Sequence, residues 1–357
     1  MTDTCLTTNV LALLIVLFLF LGFPPFTSVS AAAKGTREEV PSATPVSQPA
    51  EQTAPNVQVR KPRYFLSVAA VRPGEPITVA YAAPGAAPEK LQAVLLYAAA
   101  KSIAKASFFS LGPLEPGAAI SGGDELRAAV LAVPSTAASG NAIIRIESAN
   151  GIIHDFPLTI ESREFPSEVV ALNQENTELR TKLDPKKTAE SRQLWAILNR
   201  TGTDIYSGDT FIPPVTSTRK TSYYGHRRVY DYSDHTRDTT IHAGVDYGVP
   251  TGTEVRAAAR GKVVLAKKRI VTGNSVILEH LPGVYSLYYH LDTIAVSEGS
   301  VVDAGTLLGK SGSTGLATGP HLHWEIRVSG ENADPDAFMA RPVLDKREIV
   351  NKIMEEE

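Results

Sequence analysis

The sequence predicts a mainly β protein in two folded parts, an Ig-like β-sandwich and, after a helical connector, an antiparallel β-sheet. Three observations carry that expectation. Short β-like runs recur between Gly- and Pro-containing turns over residues 63–164, a helix-like stretch stands within residues 165–210, and β-type runs resume over residues 211–342. At 357 residues the chain exceeds one ordinary domain and suffices for two, each with its own core.

Residues 1–33 contain the apolar run NVLALLIVLFLFLGF followed by small residues, with Val29 and Ala31 placed to precede a cleavage site. This reads as an export signal. The acidic Asp3 and the lack of Lys or Arg before the run also suit an uncleaved membrane anchor, and either way the remainder faces the outside of the cytoplasmic membrane. Cys5, the single cysteine, precedes the run, so no intramolecular disulfide or cysteine metal site can form, and the position does not resemble a lipoprotein attachment site. Residues 34–62 are rich in Pro, Ser, Thr, Ala and Glu and read as an extended, disordered tether.

The sandwich rests on the runs YFLSVAAV, PITVAY, LQAVLLYA, ASFFSL, LRAAVLAV, NAIIRIES and DFPLTI, separated by turn signals such as Pro73-Gly74 and Gly122-Gly123. His154 stands alone there and reads as structural. The connector carries a helix from Thr188 to Asn199, with Leu194, Ile197 and Leu198 on one face, expected to pack between the two domains; Trp195 reads as a core or interface residue. Residues 343–357 read as a charged C-terminal tail. A net charge of −3 gives no electrostatic reason to bind nucleic acid.

The chemical signal lies in residues 211–342, where His226, His235, His242, His280, His290, His321 and His323 cluster. In GPHLHWEIRV, His321 and His323 precede an alternating run, and strand periodicity projects both imidazoles from one face. In IHAGVDYGVPTG, Gly244 and Val245 argue against a helix, so His242 and Asp246 sit on an extended, glycine-bent segment, where Gly244 lets the backbone approach a metal or a facing strand. Taken alone, the pair reads as an ordinary exposed ion pair. Together, two histidines and one carboxylate, drawn from His242, Asp246 and one of His321 and His323, match a catalytic zinc ligand set that leaves a fourth position for water. His280 reads as structural, and Tyr230 to Thr240 as a loop beside the cleft.

The segments HAGVDYGVPTGTEVRAAARGKVV, SLYYHLD, VVDAGTLLGKSGSTGLATGPHLHWEIR and DPDAF resemble the lysostaphin/LytM-type zinc metallopeptidases, peptidoglycan endopeptidases of duplicated hybrid motif fold, from about Tyr223 to Phe338. Gly225, Arg227 and Arg228 match the family's Gly-x-Arg-Arg element. The resemblance implies that His242, Asp246 and His323 bind one Zn2+ per chain and that His290 and His321 are the catalytic histidines. It further implies an antiparallel sheet bent into a groove with zinc on its floor, and together with the N-terminal segment it points to an exported enzyme of the periplasm or cell envelope. That enzyme would cleave the crosslinks or stem peptides of peptidoglycan, with cell-wall or division proteins as further candidate partners. The alternative is a non-catalytic scaffold of the same family that activates cell-wall amidases; the complete residue set argues against it.

Overall fold

The computed structural model describes residues 61–84, 87–97, 101–114, 124–200 and 202–355. The segment read as signal or anchor lies outside these residues, as does nearly all of the tether. Among the described residues no helix is long and apolar enough to cross a membrane. The chain is mainly β, as expected.

The first nine strands are β1 (Arg63–Leu66), β2 (Ala70–Val71), β3 (Pro76–Ala83), β4 (Gln92–Tyr97), β5 (Lys101–Ser107), β6 (Phe109–Pro113), β7 (Glu125–Ala132), β8 (Gly140–Ser148) and β9 (Gly151–Ile160). They form two sheets, ordered β1-β3-β7-β6 and β2-β9-β8-β4-β5. Ile77, Val79, Ala129 and Leu131 from the first sheet and Leu95, Ile144, Ile146 and Leu158 from the second share one apolar cluster. The run YFLSVAAV is split between the sheets, β1 pairing with β3 and β2 with β9. His154 stacks on Tyr64, with ring centroids 4.1 Å apart, and serves packing.

Strand β3 is buried at every position and β7 at all but its first. Such runs mark strands covered on both faces. The second face of β7 presents Ala128, Val130 and Ala132 to the core of the C-terminal sheet. Ala80 and Ala82 of β3 pack instead on α4 (Lys346–Glu355) through Ile349 and Ile353. The segment read as a charged tail is therefore a docked helix: its two isoleucines, four residues apart, form an apolar stripe amid charged neighbours.

The connector holds β10 (Ser167–Ala171), α1 (Gln174–Thr181) and α2 (Pro185–Leu198). Asn173 caps α1 by accepting from the Asn176 N–H, and Asp184 caps α2 ahead of Pro185. Leu194, Ile197 and Leu198 do share a face, but it rests on Leu265, Ile277, Tyr285 and Leu287 of the C-terminal sheet. The helix thus covers one face of that sheet, while its C-terminal end at Leu198 borders a cleft shared with Lys105, Ala106 and Ser107 of the N-terminal half. Trp195 is 47% exposed, with the Arg327 guanidinium 5.6 Å from its ring centroid.

The C-terminal strands are β11 (Lys220–Ser222), β12 (Arg227–Asp231), β13 (Arg237–Ile241), β14 (Gly244–Tyr247), β15 (Glu254–Arg256), β16 (Gly261–Arg269), β17 (Gly273–Leu281), β18 (Val284–Ile294), β19 (Val301–Val302), β20 (Leu307–Ser311), β21 (Leu322–Val328) and β22 (Glu331–Ala333), followed by α3 (Pro335–Ala340). The main sheet runs β11-β14-β21-β18-β17-β16-β19. Along β21, Leu322, Trp324, Ile326 and Val328 point into the core. Period two therefore turns His323 and Glu325 to the opposite face. A small sheet of order β10-β12-β13 stands beside it, with β10 parallel to β12. The stretch expected to be a loop thus contains a hairpin, and His235 sits in its turn with φ +64°.

Candidate metal centre

Backbone pairing brings the predicted ligands together. Asp246 on β14 is the Cα partner of His323 on β21, and His323 in turn of Tyr289 on β18. His242 enters two residues before β14, and Gly244 makes that entry feasible: a Cβ there would lie 2.2 Å from the Trp324 carbonyl oxygen. The pair is not an exposed ion pair, since His242 is 2% and Asp246 6% exposed.

Three donor atoms form a triangle. His242 Nε2 lies 3.2 Å from Asp246 Oδ1 and 3.1 Å from His323 Nδ1, and His323 Nδ1 lies 2.9 Å from Asp246 Oδ1. Bonds of ~2.0–2.1 Å to a tetrahedral zinc imply donor separations of about 3.3 Å, so the triangle fits such an ion with little adjustment. The protons agree. His242 Nδ1–H donates to the Tyr223 carbonyl at 2.8 Å, and the other nitrogen of His323 lies 3.5 Å from Glu325 Oε2. When a metal takes the place of the proton, each neutral ring can turn a lone pair toward the third donor, a carboxylate oxygen, and converging lone pairs suit a cation.

The electrostatics point the same way. Burial pushes the Asp246 carboxyl up, but hydrogen bonds and charge from His242 and His323 hold it well below the usual carboxylate range. Burial lowers His242, against the pull of Asp246. His323 is also opposed by burial, yet Asp246 and Glu325 raise it to about 9. The pocket accordingly favours one positive charge held between two rings and a carboxylate. Arg228 Nη2 bonds Asp246 Oδ2, leaving Oδ1 for the triangle.

His290 and His321 flank the triangle, their ring centroids 4.7 Å apart. His290 Nδ1–H donates to the Thr314 carbonyl and His321 Nδ1–H to the Gly319 carbonyl, each at 2.8 Å. Both rings are thus held in the tautomer whose Nε2 is free to accept a proton. His321 Nε2 lies 3.9 Å from Asp246 Oδ1. His290 sits in the left-handed region at φ +61°, a strained conformation for a side-chain-bearing residue. Burial, aided by repulsion from His321 and His323, pushes its pKa down to about 3. All five predicted residues therefore meet at one site. A cavity of about 210 Å³ opens over Asp246, His290, His321 and His323, lined also by Val170, Leu172, Leu316 and Thr318.

Sequence reading missed two contributors. Arg228 was noted only as part of a motif, and Glu168 was not singled out. No local signal marks Glu168, because its partners lie 54 to 60 residues away. His280 is structural, as expected. It is fully buried, with Nδ1 2.8 Å from the Arg260 carbonyl and Nε2 2.7 Å from Ser286 Oγ, and burial pushes its pKa down to about 4.

Comparison with known proteins agrees with this geometry. Residues 240–335 match peptidase family M23. The DD-carboxypeptidase/endopeptidase Mpg of Neisseria meningitidis serogroup B is 39% identical over 124 residues, which make up 35% of this chain and 28% of that protein. The peptidoglycan DD-endopeptidase ShyA of Vibrio cholerae is 37% identical over 118 residues, 33% of this chain and 27% of that protein. The chain thus matches under a third of the length of either relative. Among solved structures, a putative peptidase M23 from Pseudomonas aeruginosa aligns with a TM-score of 0.50 at 23% identity, over 76% of this chain and 95% of that one, a likeness of fold.

Proposed function

We propose, from an M23 peptidase domain carrying five convergent site residues, that this protein is an exported, zinc-dependent metalloendopeptidase hydrolysing the crosslinks or stem peptides of peptidoglycan. His242, Asp246 and His323 hold one Zn2+, and His290 and His321 act on protons. An Ig-like sandwich over residues 63–164 precedes the peptidase domain, and the protein works in the periplasm or cell envelope, cleaved from or anchored by its N-terminal segment. The observation that carries this reading is the donor triangle with two further imidazoles beside it, each locked by a backbone carbonyl. The peptidoglycan-cleaving relatives support the substrate class. The completeness of the set counts against a non-catalytic scaffold.

When bound, zinc supplies Lewis acidity, polarising the scissile carbonyl and bringing a water's pKa toward ~7. The chain's own residues do the rest. Asp246, clamped by Arg228, keeps one oxygen aimed at the centre. His290, buried and resistant to protonation, accepts a hydrogen bond at Nε2 and so orients the attacking water. His321, the more exposed of the two, takes the proton and returns it to the leaving amine. Val170, Leu172 and Leu316 line the cleft and exclude water from the reacting bond.

The test is incubation of the zinc-loaded protein with diaminopimelate-containing sacculi, fragments being identified by mass spectrometry beside His323→Ala. Loss of crosslinked dimers with the wild type alone is expected. No bound zinc and no products would sink the enzymatic reading.

A further inference from the structure

We infer that Glu168 is a positioning residue for the metal centre, so that the connector strand β10, and not the C-terminal sheet alone, sets how firmly the site holds a divalent metal. The inference rests on the metal-binding reading above. Glu168 Oε1 accepts from Ser222 Oγ at 2.7 Å and from Arg228 Nε at 2.5 Å, and Glu168 Oε2 lies 3.0 Å from His226 Nδ1. Two of these partners lead to different ligands. Ser222 Oγ, its own proton on Glu168, lies 3.1 Å from His242 Nδ1 as a second acceptor beside the Tyr223 carbonyl, and the Arg228 guanidinium bonds Asp246 Oδ2. One carboxylate thus steers both an imidazole and a carboxylate of the triangle, each through a single intermediary.

The geometry is built. Strand β10 pairs in parallel register with β12, Glu168 opposite Arg228. Leu172 is buried against Tyr230 and Tyr232, with Val170 and Leu316 packed on the same cluster. From α1, Asn176 donates to the Ala317 carbonyl at 3.1 Å. Glu168 precedes the segment that matches the peptidase family. Charge explains why the residue matters. Arg228 and a metal ion would share Asp246, and an Arg228 with no carboxylate on its Nε would compete for it with its full charge; Glu168 takes up part of that charge and fixes the guanidinium plane.

The test uses the full chain with Zn2+ alone. Its dissociation constant is measured by competition with a chromogenic chelator, and the Co2+-loaded protein is compared by visible absorption, which reports ligand geometry. Glu168→Ala is expected to weaken Zn2+ binding by about 10–100-fold and to alter the Co2+ spectrum, with far-UV circular dichroism unchanged. Glu168→Gln, which keeps the shape but not the charge, should fall between Glu168→Ala and wild type. Should Glu168→Ala not fold, Glu168→Gln and Ser222→Ala carry the measurement, each expected to weaken binding by a smaller factor. Affinity within twofold of wild type in the folded variants overturns the proposal. So does unchanged affinity with raised peptidase activity, which would make β10 a strap across the cleft. A wild type that binds no Zn2+ removes the metal reading itself, and this inference with it.

Discussion

Replacing Gly244 by alanine tests whether strand spacing sets the metal site. The added Cβ would stand 2.2 Å from the Trp324 carbonyl oxygen and 2.9 Å from Glu325 Cα, both backbone atoms that cannot rotate away. Real Cβ atoms essentially never come within 3.0 Å, so β14 has to retreat from β21 by at least ~0.8 Å. Asp246 lies two residues along the same strand, opposite His323. A retreat of that size carries its Oδ1 from 2.9 Å to about 3.7 Å from His323 Nδ1, beyond the ~3.3 Å that a tetrahedral zinc accepts. Gly244→Ala should therefore lose at least ~10-fold in Zn2+ affinity and about 1–3 kcal/mol in stability. Isothermal titration with Zn2+ and urea unfolding of the metal-free protein measure the two effects separately. A variant with wild-type affinity and an unchanged urea midpoint would refute the claim that this close approach sets the site.

The two kinds of histidine should separate cleanly. His323→Ala should abolish stoichiometric Zn2+ binding, whereas His290→Ala should keep the metal and lose about 10²–10⁴-fold in kcat; metal analysis beside turnover distinguishes them. Buried His280, with its pKa near 4 against an ordinary value of 6.5, makes the unfolded chain the stronger proton binder. Its stability contribution is complete above pH 6.5 and is lost as the pH falls toward 4, to about 3 kcal/mol. Urea unfolding of wild type and His280→Gln at pH 7 and pH 4 should show the wild type losing more by that amount, and equal losses would contradict it. Ile353, fully buried against Phe65, Ala80 and Ala82 of β1 and β3, should cost about 2–5 kcal/mol on replacement by alanine, with Zn2+ affinity unchanged. Unfolding within 0.5 kcal/mol of wild type would mean that α4 is not docked in solution.

What could be read from the sequence follows from how local the information is. The convergence of His242, Asp246, His290, His321 and His323 was legible because each sits in a short motif, and strand periodicity converts the His321-x-His323 spacing directly into a shared face. Gly244 was legible for the same reason, since a glycine amid an otherwise strand-forming run marks close backbone approach. Glu168 was not, because its significance exists only once β10 lies beside β12. Helix α4 was hidden by composition: two isoleucines among lysines and glutamates look like a solvated tail until a partner face is known. The placement of α2 was legible only in part: its apolar face could be read, but periodicity names a face and not what covers it, here mainly the C-terminal sheet.

The doubly buried first sheet bears on how the molecule is made. Its strands β1, β3, β6 and β7 are synthesised early, but the outer face carrying Ala128, Val130 and Ala132 is closed by groups such as Tyr224, Ala333 and Phe338, which come off the ribosome much later. The N-terminal half therefore cannot finish folding by itself. It has to wait, with an apolar surface bare, until nearly the whole chain exists. Completion of the fold and assembly of the site thus become one late, cooperative event, and a truncated product would carry a sticky face and no complete candidate metal centre.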